Sequence, residues 1–494
     1  MHRAARHAVA RVRLRCLTGC LASLATGSTV PCASAQGYTP TRALVDSIAA
    51  TVASRYVNAA KGEVAARALL RNYRAGRYGD LASADVLADV VSRDLRSLLD
   101  GDRHFAVLPP RQALQRAGTT LGADTSSRLR VMSRGAPSAA AVGPDGARVS
   151  RVEREDAERR VGHYFRAIER RPGNVLVIDF EQFALPTEQA RAVASAVMQL
   201  AATADAVIID LRLNRGGAEG LNRFIASHFF PADSSLVLYS RYQRRGDLEQ
   251  ATRVLPDLMA PRMPSTPLFL VTDGGTASAA ENLAYTLQQH KRATVVGERS
   301  MGAANSSETF AMPDGFALQV PTARVVHPRT GTNWEGTGVL PDHVVPAYAA
   351  LDSAYGLALS ALGSDSTRRL TGERAEVSKA QRRHAVMSEA PSDESLTRLR
   401  AFAGRYGSSE VRLAGTVLVI QAYGTDGSPG ATLRLRELGG DRFEIEGYPD
   451  TDRMPVQFLR DAVGGVIALR RYSGQAGDWV ELERARNEAR PPRP

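Results

Sequence analysis

At 494 residues the chain is too long for a single hydrophobic core and predicts two or three domains. Hydrophobic residues make up 44% of the chain and charged residues 23%, a balance that excludes disordered and fibrous proteins and favours a globular one. The formal net charge is +11, but no dense basic run alternates with aromatic residues, so we expect no nucleic acid as a partner. No apolar stretch is long enough to predict a transmembrane segment.

The first 35 residues have the pattern of a cleaved secretory signal. Several arginines precede an uncharged apolar run that ends in the sequence ASA at 33–35, so the mature chain is expected to begin at Gln36. A lipoprotein box at 17–20 is the alternative, but Arg15 leaves no apolar run ahead of it. We therefore expect export to the periplasm or the extracellular space rather than lipid anchoring.

Removal of residues 1–35 changes the chemistry available to the chain. All three cysteines, Cys16, Cys20 and Cys32, lie in this segment, so the mature protein has no thiol nucleophile, disulfide or cysteine metal site. The segment also carries five arginines and no acid, and its loss lowers the formal charge from +11 to +6. The remaining basic excess is mild and bears mainly on solubility.

Apolar residues at three- and four-residue steps predict helices at 43–56, 62–73 and 82–99, and we expect a small helical domain at 36–109. A segment rich in Gly, Ala, Ser and Arg at 110–150 predicts a linker or a long loop.

The middle of the chain alternates apolar strands with helices. The predicted strands are 174–180, 205–213, 267–272 and 293–297, and the predicted helices are 187–202, 219–230 and 278–290. This alternation favours a parallel sheet covered on both faces, in which functional groups collect at the carboxyl ends of the strands. A further β segment at 316–327 follows, and the whole core is expected at 151–361.

The last part of the chain changes pattern again. Residues 362–394 are polar and charged and predict a second linker. Short alternating runs broken by Gly, Asp and Ser turns then predict an antiparallel β module at 395–487.

Two glycine-containing motifs follow predicted strands. The sequence DLRLNRGG at 210–217 lets backbone N–H groups of a strand-to-helix turn approach a ligand, although a tight turn alone also explains two glycines. The sequence GGTASAAE at 274–281 presents Ser278 on a similar turn, where the next N–H can help hold an oxyanion. Ser278 and Glu281 also form a capping box, and this octapeptide alone favours the cap.

A third motif, GTNWEGTGVLPD, lies at 331–342. Its Glu335 is of the type that orients a general-base histidine in hydrolase triads, although most single glutamates are solvated surface charges. Trp334 is a weak candidate for lining a substrate cleft, and packing is the alternative for a Trp beside Gly.

These motifs, together with GERSMG at 297–302, occur in the order and spacing of the tail-specific, or C-terminal-processing, serine peptidase family, which the segment from 151 to 345 resembles. The resemblance implies a crotonase-like β/α core. It also implies that Ser278 is the nucleophile and that the N–H groups of Gly217 and Ala279 form the oxyanion hole. Gly216 is, like Trp334, a weak candidate for lining the substrate cleft.

Within that family, one branch uses a Ser–Lys dyad. The matching stretch at 300–305 contains no lysine, which argues against that dyad. The chain resembles instead the branch that includes the tricorn core peptidase and the interphotoreceptor retinoid-binding protein repeats. It shares that branch's helical N-terminal region, its lack of a recognisable PDZ insert and its Trp-Glu-Gly loop. That resemblance implies His104, within the sequence DGDRH at 100–104, as the general base and Glu335 as its orienting acid. Ala279 departs from the tricorn enzyme, which has an acidic residue after its nucleophile, but only the N–H of this residue is used.

The sequence therefore predicts a secreted serine-type peptidase with a Ser-His-Glu mechanism, a peptide or protein substrate and no metal or organic cofactor. The alternative is a binding protein for apolar, retinoid-like or lipid-like ligands on the same fold. His327 and His343 are the reserve candidates for the base. The module at 395–487 resembles the small lipocalin-like domains appended to secreted hydrolases; its role and the oligomeric state stay open.

Overall fold

The computed structural model describes residues 38–110, 112–113, 151–364, 371–387, 392–423, 429–446, 454–473 and 478–485. The predicted secretory signal lies outside the described residues, as does almost all of the expected linker at 110–150. Within the described ranges, no helix is both long and apolar enough to cross a membrane.

Three helices open the described chain: α1 (Arg42–Arg55), α2 (Ala59–Arg74) and α3 (Ala84–Leu98). Each begins after a polar residue whose side chain accepts a hydrogen bond from an N–H of the first turn, namely Thr41, Asn58 and Ser83. A short strand, β1 (Ala106–Leu108), follows. The helices occupy the positions that the apolar spacing predicts.

The middle region alternates strands and helices. In chain order its elements are α4 (Arg151–Arg160), β2 (Phe165–Arg171), β3 (Val175–Phe180), α5 (Glu188–Ala201), β4 (Ala206–Asp210), α6 (Glu219–Ser227), β5 (Val237–Gln243), β6 (Leu248–Arg253), β7 (Leu268–Thr272), α7 (Ala279–Gln289), β8 (Thr294–Gly297), β9 (Ser306–Ala311), β10 (Ala317–Val326), β11 (His343–Val344) and α8 (Ala347–Ser364).

Six of these strands form one sheet in the order β11-β8-β7-β4-β3-β2. All neighbours are parallel except β2, which pairs antiparallel with β3 at one edge. Asp210 lies beside Val271, and Thr272 lies beside Gly297, so the carboxyl ends of β4, β7 and β8 are level. The loops that follow these three strands therefore meet at one edge of the sheet.

Alternate residues of the central strands face opposite sides of this sheet. Leu176 and Ile178 of β3 pack in a core with α5, α6 and α7, whereas Val175 and Val177 pack with α8. The sheet is thus covered on both faces, as its continuous apolar strands predict. The expected linker at 362–394 contains a helix, α9 (Thr371–Met387), because buried apolar residues on it pack in the same core as α8.

The remaining strands, β1, β5, β6, β9 and β10, form a second, antiparallel sheet around β10. Leu318 and Val320 of β10 share a core with α1, α2 and α3. In the β5–β6 turn, the Arg244 guanidinium donates to the carbonyls of Ala53 (2.9 Å) and Tyr56 (2.5 Å) at the end of α1. The helical region therefore packs on the second sheet instead of closing a core of its own.

The last part of the described chain holds a helix and an antiparallel sheet. Its elements are α10 (Asp393–Arg400), β12 (Gly404–Tyr406), β13 (Ser409–Ala414), β14 (Val417–Tyr423), β15 (Pro429–Gly439), β16 (Arg442–Ile445), β17 (Met454–Arg460), β18 (Val466–Ser473) and β19 (Asp478–Glu483). The strands pair in chain order, and Ala485 N donates to Arg405 O at 2.8 Å, which joins the last strand to the first. The sheet closes around an aromatic core that includes Phe443 and Phe458.

Candidate active site

Two strand-to-helix turns meet at the level carboxyl edge of the main sheet, and hydrogen bonds join them. Ala277 N donates to Asn214 O (2.8 Å), and the Thr276 hydroxyl donates to Leu211 O (2.8 Å). In the opposite direction, Leu213 N donates to the Asp273 carboxylate at 3.0 Å. The Gly-Gly turn after β4 and the serine turn after β7 are therefore one rigid unit.

Ser278 lies on this unit in a strained backbone conformation. Its φ is 53° and its ψ is −117°, and such a positive φ in a residue other than Gly costs about 1–3 kcal/mol and is typical of a nucleophile turn. The side chain is partly exposed at the edge of the sheet. Gly216 faces it so closely that a Cβ there would lie 2.7 Å from Ser278 Cβ and from Ala279 N, so a side chain cannot be accommodated.

Two backbone N–H groups beside Ser278 are available as donors. Neither Ala279 N, at the start of α7, nor Gly217 N donates to any acceptor in the described part of the chain. Gly217 has a φ of 134°, and a Cβ there would overlap the Phe183 carbonyl, so only Gly permits this approach. Unpaired N–H groups next to a serine hydroxyl can hold a developing oxyanion.

Glu281 connects the serine turn to the loop after β8. Its buried carboxylate accepts hydrogen bonds from Ser278 N (2.8 Å), Ser300 Oγ (2.5 Å), Gly302 N (2.6 Å) and Ala303 N (2.9 Å). Burial raises its pKa, and these four donors oppose that shift. The Glu281 half of the predicted capping box is thus present, and it holds both the serine and the neighbouring loop.

His104 enters the site from the helical region. The loop after α3 is held by Arg96, whose Nε donates to Phe105 O at 2.7 Å, and by the Asp102 carboxylate, which accepts from His104 N at 3.0 Å. The His104 side chain is 6% exposed, and its Nδ1 is buried without a partner in the described residues. Burial lowers the pKa of His104 to about 3, so the imidazole is neutral near pH 7.

The carboxylates of Glu335 and Asp102 lie close to His104. A ring nitrogen of His104 and one carboxylate oxygen each of Asp102 and Glu335 all lie within 4.8 Å of one another. Glu335 Oε2 accepts from the N–H groups of Ala304 and Asn305, both at 2.7 Å, whereas its Oε1 is buried without a partner in the described residues. Burial, followed by the charge of Asp102, raises the pKa of Glu335. The unpaired Oε1 can accept a hydrogen bond from a ring N–H of His104.

The Asp102 carboxylate accepts hydrogen bonds from two distant parts of the chain and so connects them. It accepts from the Tyr56 hydroxyl (3.1 Å) at the end of α1 and from Asn305 Nδ2 (2.8 Å) in the loop after β8. Burial raises the pKa of this carboxyl, and its hydrogen bonds oppose the shift. Asp102 therefore places His104 relative to the loop that also holds Glu335.

The loop at 300–305 connects the serine side of the site to the histidine side. Its first part binds Glu281, which holds Ser278, and its last part binds Glu335 and Asp102, which accompany His104. No hydrogen bond joins Ser278 to His104 within the described ranges. Such bonds are often absent without substrate and form in the substrate complex.

Among the residues that the structure describes, the same cluster could hold a metal ion, since Asp102, His104 and Glu335 offer the ligand types that Zn²⁺ accepts. The hydrogen bonds already made by both carboxylates of the cluster occupy much of their acceptor capacity. This arrangement fits carboxylates that orient an imidazole at least as well as a set of metal ligands.

The weaker candidates lie elsewhere. Trp334 is 1% exposed and packs against Tyr285, with ring centroids 5.2 Å apart, which favours the packing alternative over the substrate cleft. His327 is buried beside His290 and Tyr285, and His343 is exposed on β11. Neither reserve histidine belongs to the cluster around Glu335.

Sequence reasoning missed three residues of the site: Tyr56, Asp102 as an acceptor, and Asn305. Asp102 was part of the motif that singled out His104, so its presence was a usable signal. Tyr56 and Asn305 meet it across 46 and 203 residues of chain, and no local pattern indicates such contacts.

Comparison with known proteins identifies the middle of this chain. Residues 174–345 match the model of peptidase family S41. This segment is a peptidase family S41 domain. It contains Ser278, Gly217 and Glu335, whereas His104 precedes the matched region.

Curated relatives with similar names match part of this chain. The carboxy-terminal-processing protease of Bartonella bacilliformis is 32% identical over 138 residues, which cover 28% of this chain and 30% of the relative. The chloroplastic carboxyl-terminal-processing peptidase 2 of Arabidopsis thaliana is 36% identical over 152 residues, covering 29% and 26%. The chain thus spans about a third of the length of the curated relatives it matches.

Solved structures of proteases are also similar at low identity. The photosystem II D1 C-terminal processing protease is 17% identical with a TM-score of 0.38, covering 63% of this chain and 94% of that one. The tricorn protease is 13% identical with a TM-score of 0.35, covering 64% of this chain and 36% of that one.

Proposed function

We propose that this protein is a secreted serine peptidase that hydrolyses peptide bonds through an acyl-enzyme, with Ser278 as nucleophile, His104 as general base and Glu335 as the orienting acid. The observation that carries the proposal is the position of Ser278, on a strained turn against Gly216 and beside two unpaired N–H groups. The S41 segment supports peptidase chemistry, and the cluster of His104 with Glu335 supports this particular base.

In the proposed mechanism, His104 takes the proton of Ser278 Oγ as the oxygen attacks the peptide carbonyl carbon. The N–H groups of Gly217 and Ala279 donate to the resulting oxyanion. His104 then gives the proton to the leaving amine, which leaves an ester on Ser278. A water molecule, deprotonated by His104, hydrolyses that ester and releases the second product.

Glu335 has a definite part in these steps. The imidazole becomes a cation in both transition states, and burial alone disfavours that cation, as the lowered pKa of His104 shows. A hydrogen bond from His104 to the free Oε1 of Glu335 would stabilise it and fix the ring. The mechanism uses no metal ion or organic cofactor.

The wider setting belongs to the same proposal. We infer a crotonase-like core at 151–361, export through the segment 1–35, and a peptide or protein substrate, consistent with the names of the relatives. The helical region at 36–109, which shares a core with the second sheet, and the lipocalin-like module at 395–487 complete the proposed organisation.

The direct test is hydrolysis of a library of internally quenched peptides by the purified mature chain. We expect Ser278→Ala to lower kcat/KM by at least about 1,000-fold with the fold retained by circular dichroism, and EDTA to leave the rate unchanged. A wild type without hydrolysis that binds an apolar fluorophore tightly would favour the binding-protein alternative. Loss of the rate in EDTA, restored by Zn²⁺, would contradict a metal-free mechanism.

A further inference from the structure

Arg215 stands out within the Gly-Gly turn. Its side chain is exposed, although the flanking Asn214 and Gly216 are buried. Its guanidinium makes no hydrogen bond or ion pair in the described part of the chain. Arg212, three residues earlier, contrasts with it, since that guanidinium donates to both carboxylate oxygens of Asp210. One arginine of the turn is thus used in the fold, and the other is not.

The position of Arg215 relative to the nucleophile follows from its neighbour. Gly216 lies against Ser278 and Ala279. Consecutive Cα atoms are about 3.8 Å apart, so the backbone of Arg215 lies one residue from this contact with the nucleophile. The surrounding protein desolvates its guanidinium and lowers its pKa, and the compensating charge is Asp273, in the serine turn. The cation is therefore accessible to solvent, although nearby protein atoms partly desolvate it.

No acid of the site pairs directly with Arg215 in the described part of the chain. Asp273 is buried and accepts from Leu213, Gly275 and Thr276, and Glu281 accepts four hydrogen bonds of its own. A guanidinium presents a planar set of donors that matches a carboxylate, and the pair is strongest where water is partly excluded. An unpaired arginine in this position indicates a negatively charged group on the substrate.

We propose that Arg215 binds a carboxylate of the substrate and makes this site selective for acidic peptides. The inference rests on the proposed function, because it names the substrate class of the same site. The carboxylate belongs either to an Asp or Glu side chain near the cleaved bond or to the carboxyl terminus of the peptide. Both share one chemistry, and the experiment separates them.

The test compares kcat/KM for quenched peptides that differ at a single position. One set carries Glu, Gln or Lys on each side of the cleaved bond, and a second set ends in a free carboxylate or a carboxamide. We expect the wild type to prefer the carboxylate-bearing member of at least one set by about 10-fold or more, mainly through KM. A preference in the first set would show that Arg215 binds an acidic side chain. A preference in the second set would show that it binds the carboxyl terminus of the peptide.

The variants are Arg215→Gln, which should abolish the preference, and Arg215→Glu, which should shift it towards the Lys peptide. Arg191→Gln is the matched control, because Arg191 is an exposed arginine on α5 outside the site. It should keep the wild-type preference.

Two results would overturn the inference. The first is a wild type that shows no preference in either set. The second is an Arg215→Gln variant in which kcat falls equally for every peptide, because that pattern would mean that Arg215 stabilises the oxyanion. Phosphonate labelling of Ser278 separates the failures. A labelled Ser278 without acidic preference defeats only this inference, whereas an unlabelled Ser278 defeats the proposed function and the inference with it.

Discussion

The Asp102 carboxylate accepts hydrogen bonds from Tyr56, directly after α1, from the loop after β8 and from the backbone of His104. Because all three groups are buried or partly buried, replacing the acceptor leaves donors without partners, at about 1–3 kcal/mol each. Asp102 touches no reacting atom in the proposed mechanism. Its expected part is to hold the imidazole where Ser278 can use it, which makes it a positioning residue.

We expect Asp102→Asn to lower kcat about 10-fold or more with little change in KM, because substrate contacts are retained while the base is displaced. Burial raises the pKa of Asp102, so the wild-type carboxylate is protonated as the pH falls through that raised value, and kcat/KM falls with it. The variant should lack this component of the pH profile. Steady-state kinetics between pH 4 and 8 measure both effects.

Asp100→Asn is the control for this prediction, since Asp100 lies on the same loop but is exposed and pairs with Lys61. Its kinetics should match the wild type. Equal pH profiles for Asp102→Asn and the wild type would contradict a positioning role and leave Asp102 as a purely structural residue.

The contact between α1 and the β5–β6 turn helps hold the helical region against the second sheet. Arg244 supplies two hydrogen bonds from a charged group to carbonyls of that helix. Bonds of this kind contribute about 1.5–3 kcal/mol each. The loop that carries His104 belongs to the same packed unit as α1, through the core shared with β10.

We expect Arg244→Ala to speed amide hydrogen exchange in α1 and α2 and to lower the peptidase rate, while exchange in α7 behind Ser278 stays slow. Hydrogen-exchange mass spectrometry reads both regions in one experiment. Arg245→Ala, at the exposed neighbouring position, is the control and should change neither. Uniform acceleration over the whole chain would show that Arg244 acts on global stability instead.

Much of the β/α alternation was predictable, and the reasons are local. Buried strands such as β3 (Val175–Phe180) begin with a run of four apolar residues, and α5 begins after Thr187, whose side chain caps it. In contrast, β2 (Phe165–Arg171) is charged and half exposed at the edge of the sheet, so its sequence lacks the apolar signal of a strand. The pairing of β1 with β10, which brings the helices to the core, joins segments about 200 residues apart and has no local signature.

Over the whole molecule, several histidines are buried in the neutral form, and this has a consequence for acid stability. Burial lowers the pKa of His228 to about 4, whereas the same group titrates near 6.5 in the unfolded chain. Between these values the unfolded state binds more protons than the folded state. The contribution to the free energy of unfolding therefore falls as the pH decreases from about 6.5 to 4.

We expect the wild type to lose about 2 kcal/mol more stability between pH 7 and pH 4 than the variant His228→Asn, in which this group no longer titrates. Urea unfolding at four pH values measures the difference. The comparison cancels the opposite contribution of buried acids such as Asp102 and Asp179, whose pKa values are raised. Parallel curves for the two proteins would contradict the buried neutral state of His228.

In the proposed mechanism, a histidine from the helical region activates a serine of the S41 segment. Labelling with a serine-directed phosphonate tests it most directly, in the wild type, Ser278→Ala and His104→Ala, each checked for folding. We predict an adduct on Ser278, no adduct in Ser278→Ala, and labelling at least about 100-fold slower in His104→Ala. An adduct that forms on Ser278 at the wild-type rate without His104 would contradict the account.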